Sequence, residues 1–322
     1  MVLNPLKSSG LNPLKSYHVL IADADQELST VVRDLLRKMG FENIKVTHSG
    51  AGALKIFNEE PVDFLITEWN TRHVKGIDVV RQIRRDPYSP NPLLPIIMLT
   101  GRAEQEDVTA ARDNGINEYV VKPFSARTIY SRLERLIDFP RPFVVSKGFV
   151  GPERRRKGSP PPGMAERRQR EVKPQKITAV EKNIPSREPK IWESDYSLQQ
   201  KLGSGKTLPD YITPERVEQA QKAIDEMTAK SMEWLKDNII ELEISTGNLN
   251  ENTSPEQLEK LEETALMVNS RAGTFGYSRA SEVAYNLHRF CRNQLNPEKE
   301  GHQIVVQKHV DVLRAMFASE MK

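Results

Sequence analysis

Short apolar runs alternate with helix-patterned stretches from Tyr17 onward, and this alternation constrains the fold more than any other feature. Five runs have the length and the β-branched or aliphatic composition of buried strands. They are His18–Ala22, Ile44–Thr47, Phe64–Thr67, Ile96–Thr100 and Glu118–Val121. Apolar residues between them recur at helical spacing, as Leu28, Val31 and Leu35 do. Consecutive βα units predict an α/β domain with a doubly wound, five-stranded parallel sheet, whose ligands bind at the carboxyl ends of the strands.

Composition divides the chain into four segments. Its 322 residues are enough for about two domains. Residues 1–16 contain a short tandem repeat with prolines and are predicted to form a flexible leader. Residues 17–139 contain the βα units. Residues 140–212 are basic and proline-rich without periodicity, which predicts a disordered linker, and residues 213–322 have a helical pattern.

The last segment contains four amphipathic stretches. The predicted helices are Pro214–Glu243, Pro255–Thr274, Ser278–Leu295 and His302–Met321. Short breaks rich in asparagine or glycine separate them, and short connections favour antiparallel neighbours. The segment is therefore predicted to be an all-α, up-down four-helix bundle.

Charge and cysteine content narrow the possible functions. The net charge of +3 is far from the strong basic field of a dedicated nucleic-acid binder. Between Gly151 and Lys176, however, nine Arg or Lys residues oppose three Glu residues, a local net charge of +6. We interpret this stretch as a solvated linker, with binding of nucleic acid, an acidic membrane or an acidic partner as the alternative. The single cysteine excludes an internal disulfide, and no apolar run reaches the ~20 residues of a membrane span. We expect a cytoplasmic protein without membrane insertion.

Four motifs in the α/β segment resemble a known family. They are Val19–Asp25, Phe64–Asn70, Pro95–Thr100 and Tyr119–Phe124. In order and spacing the segment from Tyr17 to Phe139 is similar to the receiver domain of two-component response regulators, which implies a flavodoxin-like fold. In that family an aspartate after the third strand accepts a phosphoryl group from a phosphohistidine. Acidic residues after the first strand hold Mg²⁺, and a threonine and a lysine grip the phosphoryl oxygens.

The resemblance assigns a role to five residues of this chain. Glu68 stands at the phosphoacceptor position and Asp23 at one acid position. Thr100 and Lys122 stand at the phosphate-gripping positions, and Tyr119 corresponds to the family's switch aromatic. Phosphoryl transfer requires the Mg²⁺ ion and the lysine because negative charge accumulates when a carboxylate attacks an anionic phosphoryl group.

Two positions depart from the family's pattern. Glu68 replaces an aspartate, so its carboxylate lies one methylene farther from the backbone, and misplacement by about an ångström can cost on the order of 100-fold in rate. Ala24 replaces a metal ligand. Asp25 could partly substitute as an acid of the pocket, but its position suits the N-cap of the first helix. We therefore expect little or no phosphoacceptance, no resident cofactor, and at most a weak Mg²⁺ site at Asp23 and Glu68.

The charge of Glu68 suggests two hypotheses. A longer carboxylate can reach toward Lys122 and Thr100 and place negative charge where a phosphoryl group would sit, which would mimic the phosphorylated state. Alternatively, Glu68 is an inert acid paired with Lys122. The sequence favours neither.

The helical segment resembles a second family, the histidine phosphotransfer domain. The likeness is carried by Ala272–Tyr277 followed by Leu287–Phe290. In that family an exposed histidine is followed by a lysine three positions on and a glycine four positions on. Here those positions hold Leu266, Asn269 and Ser270. Leucine has no lone pair, so the resemblance implies a phosphotransfer-like bundle without its nucleophile.

Both resemblances point to binding within a phosphorelay. We expect a non-enzymatic adaptor or scaffold of a two-component system whose partners are kinases, response regulators, or chemotaxis and motility proteins. The linker would let two separate domains bind bivalently. A response regulator phosphorylated at a non-standard acceptor is one alternative, and binding of nucleic acid or an acidic partner through the basic linker is the less favoured one.

Overall fold

The protein is described here by a computed structural model. It describes residues 12–146, 148–154, 190–192, 197–299 and 301–317.

The first domain is the five-stranded parallel sheet that the sequence predicts. Its strands are β1 (Val19–Ala22), β2 (Ile44–Thr47), β3 (Phe64–Thr67), β4 (Ile96–Thr100) and β5 (Glu118–Val121), in the order β2-β1-β3-β4-β5. Its helices are α1 (Gln26–Met39), α2 (Gly50–Glu59), α3 (Gly76–Arg85), α4 (Gln105–Asp113) and α5 (Ala126–Ile137). The sheet is doubly wound, so the chain reverses its direction of growth beside β1.

The burial pattern explains why these short runs form strands. Every residue of β1, β3 and β4 is buried, which is typical of parallel strands covered by helices on both faces. The register pairs Ala22 with Thr67 on β3, so β1 and β3 end side by side. The residues that follow these strands therefore meet at one edge of the sheet.

Residues beyond α5 form a second, smaller sheet. Strands β6 (Phe143–Ser146), β7 (Phe149–Pro152) and β8 (Lys190–Trp192) pair antiparallel in the order β7-β6-β8. The prediction of a disordered linker over 140–212 is thus wrong for these residues, because alternating apolar side chains such as Phe143 and Val145 are buried. The most basic part of the linker lies outside the described residues.

The end of the predicted linker is also ordered. Helix α6 (Ser197–Leu202) and a 3-10 turn at Leu208–Asp210 precede the bundle. Leu198, Leu202 and Leu208 are buried in the core of the first domain. These leucines are too few to create a periodic pattern in the sequence. Each packs into the hydrophobic core of the first domain, and burial of their apolar side chains holds the segment in place.

The leader prediction is wrong for its last residues. Pro13–Ser16 form a 3-10 helix, and the Asn12 side chain accepts a hydrogen bond from Leu14 N. Leu14 is fully buried in the core of the first domain, and Tyr17 Oη donates to the carbonyl of Leu198. The start of the described chain and α6 therefore pack together.

The C-terminal segment is the four-helix bundle that the sequence predicts. Its helices are α7 (Pro214–Gly247), α8 (Pro255–Thr274), α9 (Ser278–Asn293) and α10 (His302–Met316). Helix α7 is longer than expected, while α9 and α10 end earlier, although residues 318–322 lie outside the described residues. The bundle core is formed by buried aliphatic residues, including Leu235, Ile239, Leu261, Val268, Leu287, Val306 and Val310.

The two domains are packed against each other, which corrects the expectation of separate domains on a flexible linker. The first half of α7 lies over α1 and α5, and its Ala220 is buried in the core of the first domain. Gln221 Oε1 accepts a hydrogen bond from Ala126 N at 2.9 Å, at the start of α5. Arg216 Nη1 donates to Met39 O at 3.3 Å, at the end of α1. One long helix thus fastens the bundle to the sheet domain.

Within the part of the chain that the structure describes, no helix is both long enough and apolar enough to cross a membrane.

Candidate functional site: an acid pocket closed by the helical bundle

The predicted site residues lie together at the carboxyl edge of the sheet. Asp23 follows β1, Glu68 follows β3, Thr100 ends β4 and Lys122 follows β5. All four side chains are buried. The parallel topology brings them together because each strand ends at the same edge. We call Asp23, Asp25, Glu68 and Lys122 the acid pocket.

Lys122 occupies the centre of the acid pocket. Its Nζ lies 3.0 Å from Asp23 Oδ2 and 2.8 Å from Glu68 Oε2. Burial alone would lower the pKa of Lys122, but the two carboxylates outweigh it and raise that pKa above its usual value. Burial raises the pKa of Asp23 to about 6; Lys122 opposes this rise and Glu68 adds to it. Lys122 therefore stays charged and forms ion pairs with both carboxylates at once.

Glu68 is turned back onto its own backbone. Its Oε1 accepts a hydrogen bond from Trp69 N at 2.6 Å, while Oε2 faces Lys122. The expected reach toward Lys122 is present. Thr100 lines the same cavity as Glu68, and its Oγ1 accepts from Arg102 N at 3.3 Å. Both carboxylate oxygens of Glu68 thus have a positively polarised neighbour without any added group.

Tyr119 is half-buried and points along the β4–α4 loop. Its hydroxyl donates to Arg102 O at 2.8 Å. Burial and the nearby carboxylate of Asp107 raise the pKa of this phenol. Its hydroxyl therefore remains a hydrogen-bond donor at neutral pH and ties the fifth strand to the loop beside the pocket.

Asp25 has two functions. Its Oδ1 accepts from Glu27 N at 3.0 Å and Leu28 N at 3.1 Å, which confirms the expected N-cap of α1. Its Oδ2 accepts from Arg271 Nε of α8 at 2.8 Å. Burial would raise the pKa of Asp25, but Arg271 and the capped amides outweigh it and hold that pKa below its usual range. Asp25 is therefore a carboxylate that the bundle neutralises.

Arg271 is buried at the junction of the domains. Besides Asp25, its guanidinium contacts Glu27 and donates from Nη1 to Asn238 Oδ1 at 2.7 Å. It also lies over the ring of Trp234 on α7, 5.6 Å from the centroid. A planar guanidinium can make such bidentate and stacking contacts together.

Two of the three α8 residues to which the resemblance assigns phosphotransfer positions, Leu266 and Ser270, lie beside the acid pocket. Leu266 is buried and lines the cavity beside the pocket. Ser270 Oγ lies 3.3 Å from Lys122 Nζ, while Asn269 Nδ2 donates to Ser281 O at 2.8 Å. Asn269 is thus engaged within the bundle, and Leu266 presents an apolar side chain at the position where the resemblance would place a histidine.

The remaining contacts complete the junction. Arg102 Nη1 donates to Tyr285 Oη at 2.9 Å, and its guanidinium lies between the rings of Trp69 and Tyr285. A Cβ on Gly273 would lie 3.4 Å from the Cα of Gly101, so small residues let the backbones approach. A cavity of about 260 Å³ remains, lined by the three carboxylates of the acid pocket, the β4–α4 loop, α8 and α9.

The acid pocket does not fit the Mg²⁺ ion that the resemblance to receiver domains implies. Mg²⁺ needs several oxygen ligands in octahedral geometry. Here Lys122 lies between Asp23 and Glu68, Arg271 holds Asp25, and Ala24 supplies no ligand. Among the described residues, no group of three or more His, Cys, Asp or Glu side chains is arranged to hold a metal.

Sequence reasoning missed Arg271, Arg102 and Tyr285. No local pattern marks them, because each acts across a junction between segments far apart in the chain. Arg271 follows Ser270 directly and lies in the segment that resembles the phosphotransfer family. This resemblance could have suggested that Arg271 contacts a receiver, but it could not have identified Asp25 as the acid that Arg271 binds.

The comparisons with known proteins agree with the geometry of the first domain. Residues 19–134 match the response regulator receiver domain. The chemotaxis protein CheY-3 of Vibrio cholerae serotype O1 is 34% identical over 124 residues, which are 38% of this chain and 94% of that protein. The chain belongs to the response regulator receiver family. Its receiver domain supports a role in two-component signal transduction, with protein partners of the two-component or chemotaxis class.

Other members of the receiver family align over the same region. The chemotaxis protein CheY of Pseudomonas aeruginosa is 33% identical over 120 residues, 37% of this chain and 95% of that protein. Among solved structures, the chemotaxis protein CheY4 of Vibrio cholerae is 25% identical, with 37% of this chain and 97% of that chain covered and a TM-score of 0.34. These matches concern the receiver domain and not the bundle.

Proposed function

We propose that this receiver-family chain is a non-catalytic adaptor of a two-component system, in which a degenerate receiver is held by its own phosphotransfer-like bundle. The observation that carries the proposal is the position of Lys122, 3.0 Å from Asp23 and 2.8 Å from Glu68. The cation that would stabilise an incoming phosphoryl group is already shared by two resident carboxylates. Glu68 adds a second disadvantage, because its side chain is almost fully buried.

The bundle supports the same interpretation. Leu266 stands at the nucleophile position and cannot accept or donate a phosphoryl group. His288, the histidine of the resemblance-bearing segment, is buried, and its Nδ1 faces Glu262 O at 3.4 Å. Burial lowers the pKa of His288 to about 4, which suits a neutral packing histidine. A phosphorelay step through either domain therefore lacks a positioned nucleophile.

Binding surfaces remain outside the junction. On α4, the side chains of Gln105, Glu106 and Arg112 are exposed. The bundle contacts the loop before α4 through Arg102 and leaves this outer face of α4 open. We infer that kinases, response regulators or chemotaxis proteins bind there without phosphoryl transfer.

The test of this function combines phosphorylation with partner capture. The full chain is incubated with acetyl phosphate and Mg²⁺, and its intact mass is measured beside Glu68→Asp. We expect both proteins to stay unmodified, because Ala24, the Lys122–Asp23 pair and the Arg271–Asp25 pair do not involve Glu68. The immobilised full chain should still retain a histidine kinase or a response regulator from native cells without added phosphodonor.

Stoichiometric phosphorylation of the wild-type chain at Glu68 would overturn the adaptor function in favour of a phosphorylatable regulator. Retention of no two-component protein in the capture would remove its support as a scaffold. An unmodified chain that retains such a partner is the predicted result.

A further inference from the structure

The charged side chains in the acid pocket and next to it form two groups. Lys122 serves Asp23 and Glu68. Asp25 and Glu27 form the second group, and both lie against Arg271 of α8. Arg271 approaches Asp25 with two atoms, since Nη2 also lies 3.4 Å from Oδ1. The cation of the second group thus comes from the bundle.

Arg271 is built into its place. It is 4% exposed, and its other contacts are Asn238 Oδ1, the carbonyl of Trp234 and the Trp234 ring, all on α7. Helix α7 is also the helix that fastens the bundle to α1 and α5. Because α7 holds the guanidinium of Arg271 in place, Arg271 can form ion pairs with Asp25 and Glu27 only while the bundle is docked on the receiver.

The position of this guanidinium conflicts with a metal ion. A divalent cation at Asp25 would lie within a few ångströms of Arg271, and like charges at such range repel strongly in a buried site. Asp25 Oδ2 would also have to exchange its 2.8 Å bond to Arg271 for a bond to the metal. One oxygen cannot serve both cations in these positions.

We propose that Arg271 replaces the divalent cation as counter-charge of the receiver's acids, so that docking of the bundle and binding of Mg²⁺ at Asp25 exclude each other. By linkage, Mg²⁺ then weakens docking by the same factor by which docking weakens Mg²⁺ binding. The receiver of this chain thus binds an arginine of its own bundle at Asp25, beside the acids at which a metal would otherwise bind. The proposal is independent of whether Glu68 accepts phosphate.

The experiment titrates the full chain with MgCl₂ at pH 7.5 by calorimetry. Wild type should show no binding up to millimolar Mg²⁺. Arg271→Ala should bind with an affinity at least ~10-fold higher, because a buried positive charge beside Asp25 is gone. Arg271→Lys, which keeps the charge, should remain close to wild type. Arg292→Ala, a partly exposed bundle arginine near Glu262, is the matched control and should also behave as wild type.

The variant Asp25→Asn distinguishes a gain of Mg²⁺ binding from a mere weakening of the docking between bundle and receiver. The amide can still cap α1 through its oxygen, but it carries no charge for Arg271 or Mg²⁺. Amide hydrogen exchange of α8 should be faster in both Arg271→Ala and Asp25→Asn, whereas only Arg271→Ala should gain Mg²⁺ binding. Circular dichroism confirms that each variant is folded.

Two results would overturn the proposal. One is Mg²⁺ binding to wild type with the affinity of Arg271→Ala. The other is a folded Arg271→Ala with no gain in Mg²⁺ affinity. Neither result depends on the phosphorylation or capture outcomes that test the adaptor function.

Discussion

Arg271 Nε donates to Asp25 Oδ2 at 2.8 Å across 246 positions of sequence, and this bond joins the bundle to the receiver's acids. Both side chains are almost fully buried. Removal of one partner from a buried ion pair leaves an uncompensated charge and typically costs about 3–5 kcal/mol. The pair therefore contributes, together with the packing of α7 on α1 and α5, to holding the two domains together.

Leu14 provides a test of the ordered leader. It is fully buried among receiver core residues, so Leu14→Ala should lower the free energy of unfolding by about 2–5 kcal/mol. Urea denaturation measures the change. Lys15→Ala, at the exposed neighbouring position, is the control and should be nearly neutral. An equally small effect of Leu14→Ala would show that the leader is not packed in solution.

His288 should make the protein less stable in acid. Burial lowers its pKa from 6.5 to about 4, with Glu262 O, Arg292 and Lys75 as the groups that act on it. Because the unfolded chain takes up the proton first, this group's contribution is complete above about pH 6.5 and is lost as the pH falls toward 4, by up to about 3 kcal/mol. The difference in unfolding free energy between wild type and His288→Gln should follow that window. A pH-independent difference would contradict the buried neutral imidazole.

Asp23 should act in the opposite direction. Burial raises its pKa from 3.8 to about 6, so the folded protein holds a proton that the unfolded chain has already released. Its contribution to stability is therefore greatest at low pH and decreases as the pH rises from about 4 to 6. The free energy of unfolding of wild type minus that of Asp23→Asn, measured across this range, should fall. A flat or rising difference would mean that Lys122 dominates and that Asp23 is ionised throughout.

Glu68 remains the residue on which phosphate mimicry depends. If its charge beside Lys122 imitates a phosphoryl group, Glu68→Gln should weaken binding of a captured two-component partner at least several-fold, about 1 kcal/mol. Surface plasmon resonance with the partner measures the change, and Arg292→Ala serves as a control away from Glu68. Equal affinities of wild type and Glu68→Gln would leave Glu68 as an inert acid paired with Lys122.

The sheet domain was predictable because its evidence is local and periodic. Runs such as Ile96–Thr100 are apolar throughout, and the five strands were located to within one residue. Sheet topology then places Asp23, Glu68 and Lys122 at one edge without any knowledge of side-chain contacts. Asp25 as a cap could also be predicted, since a cap is a signal within three residues.

The order beyond the sheet domain could not be predicted in this way. Leu14, Leu198 and Leu208 are single apolar residues among prolines and polar residues, and they acquire meaning only when the receiver core offers them a place. Arg271 belongs to an ordinary helical pattern, while its partner Asp25 is read first as a cap. A contact across 246 positions leaves no periodic trace, so docking of the bundle onto its own receiver required the structure.

The most direct test of this docking uses Arg72, which lies 3.3 Å from Glu263 of α8. The variant Arg72→Lys is treated with a zero-length carbodiimide, and the monomer is digested and analysed by mass spectrometry. Docking predicts an intramolecular amide between Lys at position 72 and Glu263, which should be lost or strongly reduced when Arg271→Ala is added. The docking of the bundle on the receiver would be contradicted if the folded Arg72→Lys monomer lacked this cross-link while other close lysine–carboxylate pairs, such as Lys260 and Glu241, were cross-linked.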